Sequence, residues 1–325
     1  MRVDYDSFKR MLLEKLEEKL DPGFVLNVNT TNKINGIQKT GITLNKGVEP
    51  FEISPNIYIE DLYERYNGRN LNDLAEETYN LLTASFDNKI DVQKILSAEF
   101  VKENVYLKVI SSDNNFDYLF DHPYMQVEGF DNLVAIAVIK IEEMSILTGS
   151  DVTSAPINDR MLELLDMSKK ELFEYAKNNS MSNEPAEICS MKDKLLSIMF
   201  PGGVPEDEPM VDAMFPDDMP MYVVSNKSMM WGASTLMYDG ILEQIHDTIG
   251  DDYVILPSSI HEVIVVKQTA GIDTAEMVNM VKEINGAVLS PEEVLSNSIY
   301  QYNSADNSIT TISDAVAGFE AGASI

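Results

Sequence analysis

The segment Tyr253–Lys267, with the sequence YVILPSSIHEVIVVK, decides how the last part of this chain folds. Two short apolar runs, Tyr253–Leu256 and Val263–Val266, flank the more polar residues Pro257–Glu262. Runs of β-branched residues bounded by proline and serine are typical of strands, so the pattern predicts a strand–turn–strand unit. The turn gathers two hydroxyls, an imidazole and a carboxylate, and is therefore the first place to look for a functional site.

Four side chains of this turn are the candidate binding residues: Ser258, Ser259, His261 and Glu262. Catalysis by a Ser–His–carboxylate relay needs the three groups to converge in space, with the nucleophile on a sharp turn. In an extended segment Ser259 and His261 share one side while Glu262 points away, and the chain contains no G-x-S-x-G motif. The main interpretation is a polar turn that closes the hairpin, and a binding or catalytic site is the alternative. No catalytic residue is assigned.

Composition places the chain among soluble globular proteins. It has 325 residues, enough for two ordinary domains, and 44% of them are hydrophobic. No apolar run approaches the ~20 residues of a membrane-spanning helix, and the N-terminal segment lacks the apolar core of a signal peptide. The single cysteine, Cys189, argues against a secreted disulfide framework. These features predict a cytoplasmic protein without membrane contact.

The charge of the chain is strongly negative and unevenly distributed. The formal net charge is −30, and residues 201–325 contain three basic side chains against 20 acidic ones. Such a surface repels phosphate backbones and anionic membranes, so direct nucleic-acid binding is not expected. The acidity serves solubility, or it attracts a basic protein partner, or it imitates nucleic acid in front of such a partner.

Motifs for metals and phosphates are absent from the sequence. The three histidines, His122, His246 and His261, share no metal-ligand spacing with one another or with Cys189. The chain has neither a P-loop nor a G-x-G-x-x-G motif, and the acidic run Glu206–Glu208 lacks the residue order of a calcium loop. The sequence therefore predicts no metal and no cofactor.

Local patterns predict an α+β protein with mixed helices and mostly antiparallel sheets. Phe8, Leu12 and Leu16 recur every four residues, as on one helix face. The nearly all-apolar run Leu133–Ile141 predicts a strand buried on both faces, and Pro291 is placed to begin a further helical turn. The predicted organisation is an N-terminal α+β domain (1–145), a helical connector (146–200), an acidic proline-rich linker (201–220), a C-terminal α+β domain (221–312) and a flexible tail (313–325).

Five stretches of the chain resemble the family catalogued as domain of unknown function 5688. They are Ser54–Ile59, Lys169–Asn179, Pro220–Lys227, Ile255–Val263 and Pro291–Ser296, and the last two are the most specific. The family has no established activity, so the resemblance transfers no catalytic residue. It implies a bacterial or phage-borne cytoplasmic protein, of the kind found in gut Firmicutes and their mobile elements. The tail after Asn303 is longer than the resemblance leads one to expect.

Three functions remain open at this level. The leading prediction is a non-enzymatic module that binds a protein partner. The alternatives are a small-molecule or peptide-processing enzyme with a site around Ser258–Glu262, and a nucleic-acid mimic that inhibits a DNA- or RNA-handling enzyme. A pocket around His261 with groups from the N-terminal part converging on it favours the enzyme. Acidic side chains spaced like phosphates on one rigid face favour the mimic.

Overall fold

The computed structural model of the chain describes residues 3–45, 55–87, 92–142, 153–200, 202, 221–268 and 273–312. Within these ranges three sheets form, every strand pairing is antiparallel, and helices pack on the sheets, which confirms the α+β class. Apart from Gly202, the predicted linker 201–220 lies outside the described residues, and so does the predicted tail 313–325.

The first sheet carries three helices and has an apolar core of its own. Phe8, Leu12 and Leu16 on the first helix are fully buried, so the predicted helix face is confirmed. They pack with Ile42 of the sheet and Leu74 of a later helix. The elements are β1 (Val25–Asn32), β2 (Gln38–Asn45), β3 (Ile57–Tyr58), α1 (Tyr5–Glu17), α2 (Ile59–Tyr66) and α3 (Leu71–Asp87), with a short 3₁₀ helix, Ile34–Gly36, between β1 and β2.

The second sheet is organised around a central strand whose residues from Leu133 to Ile139 are all buried. The prediction of a strand covered on both faces is therefore confirmed. Three other strands pair with it. The elements are β4 (Val105–Ser111), β5 (Tyr124–Gln126), β6 (Leu133–Lys140), β7 (Ser154–Pro156), α4 (Val92–Ile95), α5 (Ala98–Asn104), α6 (Phe116–Phe120), α7 (Asp159–Leu165) and α8 (Lys169–Asn183).

The third sheet contains the predicted hairpin at its centre. Tyr253 pairs with Lys267 and Leu256 with Ile264, which confirms the strand–turn–strand unit. The elements are β8 (Ala186–Ser190), β9 (Met221–Asn226), β10 (Tyr253–Leu256), β11 (Val263–Lys267), β12 (Ile299–Asn303), β13 (Ser308–Ile312), α9 (Met191–Met199), a 3₁₀ helix (Gly232–Met237), α10 (Ile241–Ile249) and α11 (Thr274–Ala287). The strand order is β13-β12-β10-β11-β9-β8.

The segment that begins at Pro291 forms a turn rather than the predicted turn of helix. Its backbone carbonyls are committed to distant partners. The carbonyl of Glu293 accepts a hydrogen bond from Ile260 N–H (2.9 Å), and those of Pro291 and Val294 accept from the Asn35 side chain (2.8 and 2.9 Å). These tertiary bonds replace the intrahelical ones that a helix would need.

A single large apolar cluster joins the second and third sheets. It includes Val109, Phe173, Tyr253 and Tyr300, so it contains residues from both sides of positions 145 and 220. The segment 146–200 holds the strands β7 and β8 as well as helices. The predicted domain boundaries stay a prediction. The buried apolar residues of the described ranges form three clusters: one in the first sheet and its helices, the large one shared by the second and third sheets, and a smaller one between the third sheet and α11.

The turn between β1 and β2 connects the first sheet to the rest of the protein through hydrogen bonds. Asn35 adopts a left-handed conformation (φ 62°), which asparagine tolerates better than most residues. Its side chain amide binds the two carbonyls at 291 and 294, and its backbone N–H donates to Asn115 Oδ1 at 2.6 Å. The neighbouring Ile34 is buried in the large cluster. This anchor places the first sheet beside the segment after Ser290.

We expect Asn35→Ala to lower the free energy of unfolding by about 2 kcal/mol, because it removes these amide bonds and because alanine tolerates the left-handed region less well than asparagine. Urea denaturation measures the change. The matched control is Asn29→Ala on the exposed part of β1, for which we expect a change within about 0.5 kcal/mol. Equal effects of the two substitutions would show that the turn does not anchor the sheet.

Candidate functional site

A cavity of about 710 Å³ lies where the three sheets meet. Volumes of this size hold small molecules in proteins. The first sheet contributes the β1–β2 turn and β3, and the second sheet contributes the face formed by β4, β6 and β7, with α6 beside it. The third sheet contributes the β10–β11 turn, and the segment 290–293 closes the remaining side. The cavity is therefore built from parts of the chain far apart in sequence.

Lys108 on β4 is the central polar group of the cavity floor. It pairs across the sheet with Ile136 and is half-buried, with the cavity in front of it. Within the part of the chain that the structure describes, its ammonium group has neither a hydrogen bond nor an ion pair. Burial, with the nearby charge of Lys33 in the same direction, lowers the pKa of Lys108 to about 8, although Glu292 opposes the shift.

Two further lysines reach the same cavity from the first sheet. The ammonium of Lys33 lies 4.3 Å from the centroid of the Tyr58 ring, a cation–π distance. Lys39 forms ion pairs with Asp61 (2.8 Å) and with Glu292. Burial acts to lower the pKa of Lys39, but these two bonds outweigh it and raise the pKa above its ordinary value. Lys39 is thus neutralised by its partners, whereas Lys33 and Lys108 leave positive charge for the cavity.

Aromatic rings form the side walls of the cavity. The rings of Tyr118 and His122 stack with their centroids 4.4 Å apart and their planes at 3°. Burial raises the pKa of Tyr118 above its ordinary value, so its hydroxyl stays protonated at neutral pH. Trp231 is 6% exposed and has a left-handed backbone (φ 56°), which is strained for a bulky residue and is common at functional sites.

His261 faces the cavity with a defined tautomer. Its Nδ1 accepts a hydrogen bond from the backbone N–H of Trp231 (3.3 Å), which favours the tautomer with the proton on Nε2. Nε2 is 4.0 Å from Glu293 Oε1. Burial lowers the pKa of His261; the Glu293 carboxylate opposes this shift and the Lys108 charge adds to it. The ring is therefore neutral at pH 7 and presents an N–H donor.

The structure separates the four side chains of the predicted site. Of these, only His261 lines the cavity. Ser259 is buried in the turn, where its Oγ accepts the backbone N–H of His261 (3.0 Å) and its own N–H donates to the Glu262 carbonyl (3.0 Å). Ser258 and Glu262 are half-buried outside the lining. No described hydrogen bond connects the Ser259 hydroxyl with the imidazole, so a binding role for Ser258, Ser259 and Glu262 stays a prediction.

Sequence reasoning missed most of the cavity residues. The missed groups are Lys33, Lys39, Tyr58, Lys108, Tyr118, His122, Glu292 and Glu293. One of them carried a signal, because Lys108 is the only charged residue in the otherwise apolar strand pattern Val105–Ile110. A lysine in a strand covered on both sides by protein needs a partner or a function.

Two further observations concern membrane-spanning helices and metal sites. None of the helices in the described ranges has the length and hydrophobicity of a membrane span. Among the same residues, no group of three or more His, Cys, Asp or Glu side chains is placed to hold a metal ion. The absence of a metal and of a cofactor stays a prediction.

The comparisons with known proteins give one positive result. No curated protein and no solved structure matches the chain. The model of the family of unknown function DUF5688 matches residues 5–304, which covers every described strand except β13. The match ends at residue 304, and a tail longer than in other members stays a prediction. The resemblance inferred from the sequence is thus confirmed, and the chain belongs to the family of unknown function DUF5688.

Proposed function

We propose that the cavity binds a small organic anion, such as a compound with a phosphate or carboxylate group. The observation that carries this proposal is Lys108, a half-buried ammonium without a hydrogen-bond or ion-pair partner in the described part of the chain. Holding a cation in such a place costs folding free energy. An anionic ligand that enters the cavity supplies the missing counter-charge.

The other polar groups of the cavity support an anionic ligand. Lys33 lines the cavity, and its ammonium rests against the Tyr58 ring. His261 presents Nε2–H, which lies 4.0 Å from Glu293 Oε1, so the cavity offers two ammonium groups and one imidazole N–H beside one carboxylate. The Glu292 carboxylate is occupied by Lys39. Charge-assisted hydrogen bonds from converging donors are the usual means of holding phosphate and carboxylate groups.

The positive groups of the cavity contrast with the negative charge of the chain as a whole. The chain has 54 acidic against 24 basic side chains, so its overall field repels anions. Three lysines nevertheless line one cavity. Beside them, Tyr118, His122 and Trp231 offer flat apolar surfaces on which a ring of the ligand can stack. A ring-bearing anion therefore fits this cavity better than a bare inorganic ion.

The proposal predicts selective thermal stabilisation by anions. The full chain is melted with inorganic phosphate, pyrophosphate, citrate, adenosine 5′-monophosphate or neutral adenosine, at constant ionic strength. We expect the anions, and most strongly the nucleotide, to raise the melting temperature, because a ligand that binds only the folded state stabilises it. Adenosine alone is expected to have little effect.

Two lysine variants test whether the stabilisation by anions depends on the cavity. Lys108→Met is expected to abolish the shifts, whereas Lys170→Met, whose side chain is 85% exposed on α8, is expected to retain them. The proposal fails if no anion raises the melting temperature at millimolar concentration. It also fails if Lys108→Met responds like the unmodified chain.

Several predictions from the sequence are carried forward as further proposals. We propose that the protein acts in the cytoplasm of a bacterial cell, encoded by the bacterium, a phage or another mobile element, and that it has a protein partner. The net charge of −30 supports a basic partner and no direct contact with nucleic acid. An affinity capture at low and high salt tests the partner, which should be lost at high salt. Imitation of nucleic acid stays a prediction.

A further inference from the structure

We propose that Lys108 is a nucleophilic amine that forms an imine with a small aldehyde or ketone carrying an anionic group. This inference rests on the proposed function, because it names the class of anion that the cavity takes. It adds a covalent step at one atom, Lys108 Nζ.

The placement of Lys108 supports a reactive amine. Its side chain rises from the middle of a strand on the floor of the cavity, where no described carboxylate holds its ammonium by an ion pair. Lysines in ion pairs are kept protonated, as Lys39 is by Asp61 and Glu292. Desolvation and a second cation nearby are the two means by which proteins free a lysine amine for attack on carbonyls. Lys108 has both, with Lys33 as the second cation.

The reaction is balanced without any further reagent. The lone pair of neutral Lys108 Nζ attacks the carbonyl carbon, and the new C–N bond gives a carbinolamine. The C–O bond then breaks, and the oxygen leaves as water with the two protons that the amine carried. A C=N bond remains between the lysine and the ligand. The two amine protons reach the departing oxygen through solvent, and the Nε2–H of neutral His261, in the same cavity, is placed to donate a hydrogen bond to that oxygen.

The second lysine defines the substrate class. Lys33 is close enough to Lys108 for their charges to interact, and it lines the same cavity. An anionic group bound at Lys33 holds the carbonyl of the same small molecule near Lys108, which raises the effective concentration of the carbonyl. A neutral carbonyl compound of the same shape gains nothing from Lys33.

Reductive trapping tests the inference. The full chain is incubated near pH 7.5 with sodium cyanoborohydride and either pyruvate or dihydroxyacetone phosphate, and the modified lysines are identified by peptide mass spectrometry. The two probes distinguish a carboxylate from a phosphate as the anionic group. We expect Lys108 to be labelled at least about tenfold faster than the exposed Lys170, because the lowered pKa of Lys108, about 8, leaves part of its amine neutral at this pH. Pyrophosphate should protect Lys108 only.

A second variant separates the roles of the two lysines. In Lys33→Met the amine of Lys108 remains, but the charge that helps to lower its pKa is gone, so labelling slows with every carbonyl compound. Pyruvate also loses its anion site, so its labelling should fall about tenfold more than that of neutral methyl pyruvate. Labelling of Lys108 no faster than of Lys170 overturns the inference. If the anions nevertheless stabilise the protein through Lys108, the proposed function stands and only imine formation is rejected. If neither effect is found, both proposals are rejected.

Discussion

Replacing Lys108 by methionine is expected to make the protein more stable, by about 2 kcal/mol at pH 7. The lowered pKa of Lys108, about 8, means that the folded state disfavours the ammonium form. For a fully desolvated group this shift corresponds to about 3 kcal/mol, and water in the cavity screens part of that. Methionine has a similar length and no charge, so it removes the cost without leaving a gap. The same variant is expected to lose anion binding.

The stability gained by Lys108→Met depends on pH, because Lys108 loses its proton at a lower pH in the folded state than in the unfolded state. Below pH 8 Lys108 is protonated in both the folded and the unfolded state, so its full cost is present. Between about pH 8 and the unfolded value of about 10.4 the folded state has lost the proton and the unfolded state has not. The stability contributed at this position therefore rises with pH in that window. We expect the advantage of Lys108→Met to be largest at pH 7 and to shrink towards pH 10.

Urea denaturation of the unmodified chain, Lys108→Met and Lys170→Met at pH 7 and pH 10 measures these differences. The exposed Lys170 faces Glu174 at 3.7 Å on the surface of α8, so its replacement should change stability by no more than about 0.5 kcal/mol. A Lys108→Met variant that is less stable than the unmodified chain at pH 7 would contradict the account, because the lysine would then have a stabilising partner.

The second large effect is expected at Gly232, where alanine should destabilise the fold by about 3 kcal/mol or more. A Cβ at this position would lie 2.1 Å from Ser225 Oγ and 2.2 Å from the His261 carbonyl oxygen. It would also lie 2.9 Å from the backbone nitrogen of Asn226. Two of these atoms belong to backbone and cannot turn aside as a long side chain can. The strand end and the β10–β11 turn would have to separate.

The same substitution at Gly286 is the matched control. Gly286 lies in α11, and the methyl group of an alanine there would meet no described atom within 4 Å, so alanine should stabilise the helix by about 0.5 kcal/mol. Because Gly232 adjoins the His261 carbonyl, Gly232→Ala is also expected to weaken anion binding wherever it still folds. Unfolding midpoints in urea report both variants. Similar midpoints for Gly232→Ala and the unmodified chain would show that the close approach at Gly232 is unimportant.

Local patterns predicted the elements whose signals lie within one segment. The hairpin Tyr253–Lys267 was predictable because two β-branched runs flank a proline–serine turn, and the pairing of β10 with β11 confirms it. The burial of β6 followed from an uninterrupted apolar run. The turn at Pro291 was predicted as helix because proline is common at the first helical position. Its carbonyls instead bind Ile260 and Asn35, and local sequence carries no information on such distant partners.

The candidate site could be predicted only in part for the same reason. His261 was identified from a polar cluster in the turn, and it lines the cavity. The rest of the polar cluster does not line the cavity. The Ser259 hydroxyl, for example, stabilises the turn by accepting the backbone N–H of His261. Lys33, Lys108 and Glu293 come together only after three sheets pack against one another, and the bonds of Asn35 set that arrangement.

The most direct test of the central claim is the pH dependence of Lys108 acetylation by trace acetic anhydride, read by peptide mass spectrometry with and without pyrophosphate. We expect modification of Lys108 to rise with a midpoint near pH 8 and pyrophosphate to suppress it, while modification of the exposed Lys170 is the same with and without pyrophosphate. A midpoint for Lys108 near the value of about 10.4 of an unperturbed lysine, with no protection by pyrophosphate, would contradict the claim that this cavity holds an unpaired amine for an anionic ligand.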